Sequence, residues 1–340
     1  MEALLIDEWL RDRDDAVFVY DEASLTSVRD RIRAVAAECG APASVVDRAN
    51  LVATELGRNQ LRHALAGRIL VLPLERGPHR GVEIIAADRG TGLVDPAGAL
   101  EAQPRTAGTL GVGVGSVRRL ASEVDVDVRL GEGTRVVARV LPEDAPRRRE
   151  VGVYGRPIAE EKVNGDHACF ARVGDALVLG VCDGLGHGPP AREASRVAMA
   201  SFYAHDAEPP SAILDACHDA LGGTRGVVMA IARIGESSGD LELASIGNID
   251  VQIAGPRTAR RFAGSSAVLG ARGSRGTKAR VETAPIAPGE LVVLTTDGIS
   301  SKLSIEQDLL LLRDHPVVVA QRIMERFGRT NDDALVLVAR

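Results

Sequence analysis

Four aspartates in the second half of the chain constrain its fold more tightly than any other feature: Asp166 in VNGDHACF, Asp183 in VCDGLGHG, Asp297 in LTTDGIS and Asp332 in TNDDALVLV. Three of them stand immediately before or after an apolar, strand-like run. A strand end fixes a carboxylate on the rim of a sheet, and several rims can converge on one point. An isolated Asp-Gly pair reads as a turn. Four carboxylates in this order suit hard divalent cations such as Mg²⁺ or Mn²⁺, which take oxygen ligands and keep several waters. Two such ions held close together activate a water and clamp a phosphoryl group.

The 340 residues are enough for two domains, each burying its own core. Aromatics make up only 3%, and there are 36 glycines, so the cores must be built from Val, Leu, Ala and Ile between tight turns. The net charge of −6 carries no electrostatic footprint for nucleic acid. The basic cluster Arg147-Arg148-Arg149 follows two prolines and reads as a solvated linker. No apolar run approaches bilayer length, and MEALLIDEWLRDRDD lacks the basic start and apolar centre of a signal peptide. A cytoplasmic chain without membrane or nucleic-acid partners is expected. Cys39, Cys169, Cys182 and Cys217 form no metal-binding spacing and read as structural thiols.

The Pro- and charge-rich LPEDAPRRREVG, residues 141–152, divides the chain. The expected organisation is an N-terminal domain over 1–141, a linker over 142–152 and a C-terminal domain over 153–340. The first half starts with a strand, AVFVY. Helical patterns follow over Leu25 to Cys39 and from Ser44, read as an N-cap, to about Ala66. Strands RILVLPLER and GVEIIAAD, a Gly-rich stretch, a short helix and strands VDVDVRL and TRVVARVL complete it. Helices on one face of a mostly antiparallel sheet make an α+β layer. The second half alternates seven strand-like runs with helical patterns at 189–206, 211–221 and 315–327, which suggests two packed sheets flanked by helices.

Three pieces of the first half carry candidate chemistry. Glu55 and Asn59 lie four apart on one helix face; a carboxylate beside an amide oxygen can orient an attacking hydroxyl and hold Mg²⁺ on a triphosphate. Asp88, at the end of GVEIIAAD, can accept from an exocyclic amine, while Gly90 and Gly92 let backbone approach a flat ring. Gly111, Gly113 and Gly115 precede a helix whose first N–H groups suit phosphates. Position 116 is Ser and no strand directly precedes these glycines, so the dinucleotide fingerprint fits poorly; a Walker loop is excluded by the lack of Gly-Lys-Ser/Thr.

The order VATELGRNQLRHA, DRGTGL, TLGVGVGSVRRL, GEGTRVVARV resembles the GHKL-type ATPase fold of anti-sigma-factor kinases, closest to the RsbT-like switch kinases, over about residues 10–141. The resemblance implies ATP with Mg²⁺, Glu55 as catalytic base, Asn59 as the Mg²⁺ ligand, Asp88 as the adenine acceptor, Gly90 and Gly92 in the adenine loop, Gly111 and Gly113 in the phosphate lid, and Thr134 supporting the adenine site. Two positions depart from it: Gly115 stands where related kinases often have Pro, and Thr109 where they often have Gly.

From about 150 to 340, RPIAEEKVNGDHACF, VCDGLGHGPPA, LELASIGNID, LVVLTTDGIS and TNDDALVLV resemble the SpoIIE-type branch of the metal-dependent PPM protein phosphatases, with DGLGHG closest to RsbX-like members. The fold implied for the whole chain is α+β, a GHKL-type sandwich followed by a PPM-type αββα sandwich. By the same resemblance Asp183 bridges two Mn²⁺ or Mg²⁺ ions, the Gly184 carbonyl binds one, Asp297 and Asp332 ligate the second, and Asp166 serves the first directly or through water. Asp333 stands where many relatives have Asn and takes a supporting role. His187 reads as a solvated or structural loop histidine, and Arg156 is the nearest candidate for an arginine at the phosphate.

The expectation is a bifunctional partner-switching regulator: a serine/threonine kinase-like domain joined to a phosphoserine/phosphothreonine phosphatase. The resemblance implies STAS-domain phosphoproteins as substrates, with a sigma-factor regulator as a second class of partner. The alternative is a phosphatase whose N-terminal domain binds ATP and a partner without transferring phosphate.

Overall fold

The computed structural model describes residues 5–10, 13–101, 114–256, 259–271, 279–305 and 311–340. The chain divides into two compact units, Met1–Glu150 and Val151–Arg340.

In the first unit the elements run α1 (Leu5–Leu10), β1 (Val17–Val19), α2 (Ser24–Cys39), α3 (Ala43–His63), β2 (Ala64–Arg76), β3 (His79–Gly90), α4 (Pro96–Glu101), α5 (Val114–Leu120), β4 (Glu123–Arg129) and β5 (Gly133–Val140). The strands form an antiparallel sheet in the order β1-β2-β3-β5-β4. Val28, Ile32 and Val35 of α2 and Val45, Ala49, Val52 and Leu56 of α3 are the buried stripe at helical spacing.

Three expectations change here. The third helix starts at Ala43 rather than after Ser44, because extended Pro42 occupies the cap and no side chain closes it. It ends at His63, since Ala64 is already extended and opens β2. Helices also lie on both faces of the sheet. Ile6, Trp9 and Leu10 of α1 pack against Leu70 and Ala87, and Ala87 alternates in β3 with Asp88.

Beneath Trp9 the VDVDVR strand buries its charges as pairs. Asp127 accepts from Trp9 Nε1 at 3.2 Å and from Arg129 at 2.6 Å, and Arg139 donates to Asp125 at 2.6 Å. Arg76 pairs with Glu123 and also donates to the Pro146 carbonyl. Arg148 N–H reaches Glu123 as well, at 2.7 Å. The linker reading of the basic cluster therefore holds for exposed Arg147 only, while Arg148 and Arg149 are half-buried.

The second unit continues with β6 (Val151–Arg156), β7 (His167–Val173), β8 (Ala176–Gly184), α6 (Pro189–His205), α7 (Pro210–Ala220), β9 (Val227–Gly235), β10 (Asp240–Ile246), β11 (Asp250–Ala254), β12 (Ala259–Phe262), β13 (Arg280–Pro285), β14 (Leu291–Thr295), α8 (Pro316–Phe327) and β15 (Ala334–Ala339). Strands β6-β15-β14-β11-β12 form one sheet and β13-β10-β9-β8-β7 the other. Their facing side chains, among them Val153, Leu335, Leu337 and Leu294 against Leu177, Leu179 and Val181, make one shared core. Helices α6 and α7 cover the outer face of the second sheet through Ala198, Phe202, Ile213 and Leu214, and α8 covers β6 and β15.

This is the αββα sandwich. Val151 and Gly152, read as linker, belong to β6. A Cβ on Gly152 would fall 2.0 Å from the Val317 backbone nitrogen, so the glycine is what lets α8 lie on the strand.

Candidate functional sites

In the first unit Asp88, Thr134, Ala86 and Val136 from β3 and β5 form the floor of a cavity of about 330 Å³, and Leu56 and Asn59 of α3 form its roof. The Asp88 carboxylate accepts from Thr134 N–H at 3.3 Å. Burial raises its pKa to about 6 against that bond, since a charge here has lost its water. Thr134 Oγ1 accepts from Leu93 N–H at 3.0 Å and so pins the turn at Gly92. Gly92 has φ +75°, and a Cβ there would fall 2.8 Å from the Arg129 carbonyl oxygen.

Asp88, Asn59, Gly92 and Thr134 therefore meet on one cavity. Gly90 is not on its wall but lies against the His63 carbonyl. Glu55, one turn before Asn59, is also off the wall; burial raises its pKa while Arg58 and Arg62 oppose the rise. Gly111 and Gly113 lie outside the described residues.

Gln60 and His63, on the helix side of the wall, were not singled out from sequence. Gln60 is buried and donates to the carbonyls of Arg68 and Ala87, and His63 closes the helix end. Both continue the face of Leu56 and Asn59, and that periodicity was the available signal.

In the second unit the acidic residues sit where strands end. Asp183 and Gly184 close β8, Asp166 directly precedes β7, Asp297 follows β14, and Asp332 and Asp333 precede β15. Gly184 leaves no room for a side chain, since its Cβ would fall 2.3 Å from the Ala191 carbonyl oxygen. Gly186 and Gly188, at φ +87° and +71°, turn the chain from β8 into α6.

Asp166 is 2% exposed and Oδ2 has no hydrogen-bond partner. Burial and then the neighbouring Asp183 push its pKa well up, against the Thr296 hydroxyl. Burial, followed by Asp297, Asp332 and Asp333, pushes Asp183 up to about 7. Burial and Asp297 raise Asp332, which Arg329 and His187 partly offset. Four strand ends thus bring mutually repelling carboxylates into one field.

Among the described residues no three His, Cys, Asp or Glu side chains already close on a single ion position. The donor chemistry nevertheless fits hard cations: every group is oxygen, one buried oxygen is unpartnered, and the crowding is of the kind a divalent charge relieves.

The supporting shell fixes these carboxylates. Asp333 accepts from Ile158 N–H at 2.7 Å and Gly165 N–H at 2.8 Å, stitching two loops beside Asp166. Asn164 Oδ1 accepts from Asp166 N–H at 2.9 Å, and Asn248 donates to Asp297 at 3.0 Å. The Arg156 guanidinium is engaged by the carbonyls of Arg329 and Asp332, so it braces the loop carrying Asp332. His187 is exposed and pairs with Glu161 at 2.9 Å. Cys169, Cys182 and Cys217 are buried free thiols, and Cys182, next to Asp183, also feels the charges of Asp166 and Asp183.

The family model "Histidine kinase-like ATPase domain" matches residues 18–140, and "Stage II sporulation protein E (SpoIIE)" matches 174–340. The "Serine/threonine-protein kinase RsbT" of Bacillus subtilis (strain 168) is 33% identical over 124 residues, 36% of this chain and 92% of that protein. Among solved structures, a chain from "The bacterial stressosome: a modular system that has been adapted to control secondary messenger signaling" is 31% identical, covering 57% of this chain and all of that one, with a TM-score of 0.53. RsbX in complex with magnesium shares the fold, at 21% identity and a TM-score of 0.50 over 58% of this chain and 96% of that one. The chain therefore belongs to the RsbT-like histidine kinase-like ATPases through its first unit, and through its second it is a SpoIIE-type PPM serine/threonine phosphatase.

Proposed function

We propose that the chain writes and erases one phosphoryl mark: the first unit phosphorylates serine or threonine on a STAS-domain protein from ATP, and the second removes it. The observation that carries this reading is the pairing, in one polypeptide, of a carboxylate-floored cavity on an ATPase fold with a rim of strand-end carboxylates on a phosphatase fold. The functional domains would be 1–141 and, with Val151 and Gly152 taken into β6, 151–340, joined by 142–150, working in the cytoplasm, with a sigma-factor regulator as a further partner.

In the phosphatase unit Asp183 would bridge two Mn²⁺ or Mg²⁺ ions, with the Gly184 carbonyl, Asp166, Asp297 and Asp332 completing the set. Such ions supply Lewis acidity toward a phosphoryl group and lower the pKa of water. The chain's own part is positioning. Asn248 orients Asp297, Asp333 holds the turn before Asp166, and Arg156 holds the loop before Asp332.

In the first unit Asp88 would accept from the adenine amine, and Thr134 would keep the Gly92 turn against the ring. Asn59 would carry the Mg²⁺ of ATP and Glu55 would serve as base, with Gly90, Gly111 and Gly113 completing the nucleotide loops. A second reading, a non-catalytic module that binds ATP and a partner, draws on one observation: Glu55 is off the cavity wall.

Labelled ATP, the full chain carrying Asp183→Asn and a purified STAS protein separate the two. Transfer that is lost in Glu55→Gln and Asn59→Ala supports the kinase. ATP-dependent binding of the STAS protein without transfer supports the module.

A further inference from the structure

The carboxylate rim opens on one side into a cleft of about 540 Å³. Asn248 lines it from the β10–β11 turn, Asp250 from the start of β11, Arg261 from β12, Asp297 and Ser301 from the segment after β14, and Arg329 from the segment after α8. Asp166, Asp183 and Asp332 are not on its walls, so the cleft joins the rim at Thr296–Asp297. A phosphoryl group seated at Asp183 would lie outside it. The cleft is placed instead to take the stretch of substrate chain beside the phosphorylated residue.

Two cations on its walls are differently disposed. Arg261 is spent on the fold: it donates to Asp250 at 2.8 Å and to the carbonyls of Ser301 and Leu303 at 3.0 and 3.5 Å. The charge of Asp250 is compensated in the same pair. The Arg329 side chain is exposed and makes no hydrogen bond or ion pair among the described residues. Its backbone is held on both sides, because its N–H donates to the Gly298 carbonyl at 2.7 Å and its own carbonyl accepts from Arg156. An anchored backbone thus presents a guanidinium that bears on Asp332 through charge alone and has no hydrogen bond of its own among the described residues. A planar guanidinium pairs best with a carboxylate, bidentately.

We propose that this cleft is the subsite for the polypeptide flank of the substrate, and that Arg329 is its specificity-determining residue, pairing with an acidic side chain near the phosphoserine or phosphothreonine. The assignment rests on the phosphatase reading of the second unit. Arg329 is placed apart from the reacting atoms and selects among phosphoproteins by what surrounds the mark.

The test uses the full chain with Mn²⁺ and three phosphoserine peptides that differ only in carrying Glu, Gln or Lys beside the phosphoresidue, with p-nitrophenyl phosphate as a substrate lacking any flank. The parent is expected to favour the Glu peptide over the Gln peptide by about tenfold in kcat/KM, with the difference carried by KM. Arg329→Ala should reduce that ratio to about one, and Arg329→Glu should turn the preference to the Lys peptide. Arg329→Lys should restore part of it. A parent active on p-nitrophenyl phosphate but indifferent to the flank overturns the subsite, as do variants that slow all four substrates equally. A parent inactive on p-nitrophenyl phosphate overturns the phosphatase reading and the subsite with it.

Discussion

The two units use buried carboxylates in opposite ways. Asp88 is a single acid on the floor of a largely apolar cavity, and what raises its pKa is lost water. Asp183 has lost water too, but three further carboxylates act on it in addition. A lone buried acid is satisfied by one neutral donor such as an amine N–H. A crowd of acids is satisfied only by positive charge. The same residue type on the same kind of strand therefore selects different ligands, and the distinction lies in the neighbours.

The largest effect that could break this contrast is at Asp183. Asp183→Asn should lower Mn²⁺-supported hydrolysis of p-nitrophenyl phosphate by at least about 10³-fold. Because it removes a repelled charge, it should also leave the metal-free protein as stable as the parent or more so, and abolish the Mn²⁺-induced rise in Tm. Wild-type turnover by this variant at saturating Mn²⁺ would dissolve the contrast.

The next effect is at Asp88. Its folded pKa of about 6 lies above the unfolded 3.8. Below the lower value both states are protonated and the group contributes nothing. As pH rises between the two, the unfolded chain releases its proton first and stability falls, and the full penalty is present above about 6. Asp88→Asn should therefore match the parent near pH 4 and exceed it by up to about 3 kcal/mol at pH 7. The measurement is urea unfolding across this range, followed on the transition that ATP shifts. The same substitution should weaken ATP by about 10- to 100-fold at pH 7, through loss of a charge-assisted bond. A stability difference that does not change with pH would refute the lone-acid description.

Thr134→Val is the gentlest test. It deletes the acceptor for Leu93 N–H and should cost ATP binding about 1 kcal/mol, near fivefold, by isothermal titration. Phosphatase activity of the same preparation serves as the reference.

Much of the fold is legible in the sequence because apolar runs and helical stripes are local. VDVDVRL, HACFARV, ALVLGVCD and ALVLVA read directly as strands. What escaped was decided by distant parts of the chain. Val151 and Gly152 look like the tail of a linker, yet they open β6, and Gly152 is what admits the α8 backbone. ARRF and RVETAP are half-exposed edge strands without an apolar face to betray them. Helix α1 is too short to announce itself by period, and its place opposite α2 and α3 depends on Trp9 finding Asp127, 118 positions away.

At the sites, the aspartates could be read from their flanks because strand ends are local signals. The roles of Asn248 and Arg156 could not, since each holds a partner brought near only by the sandwich, and Asn164 adds to its local bond with Asp166 one to the Ala334 carbonyl, 170 positions away. The departure of Glu55 from the cavity wall was likewise invisible, because helical spacing gives a face and not where that face meets a cavity.

Asp332 and Asp333 are adjacent, yet one carboxylate joins the acidic field at the rim while the other is stitched to two backbone amides. The two letters are the same and both add to the field at Asp183, but only Asp333 ties the loop amides of Ile158 and Gly165. A one-residue shift of this pair would exchange the carboxylate proposed as a metal ligand for the one that staples the loops. An alignment that slips by one here would still look perfect and would give the proposed metal role to the wrong carboxylate. Reading frame, as much as residue identity, is what this corner of the molecule keeps.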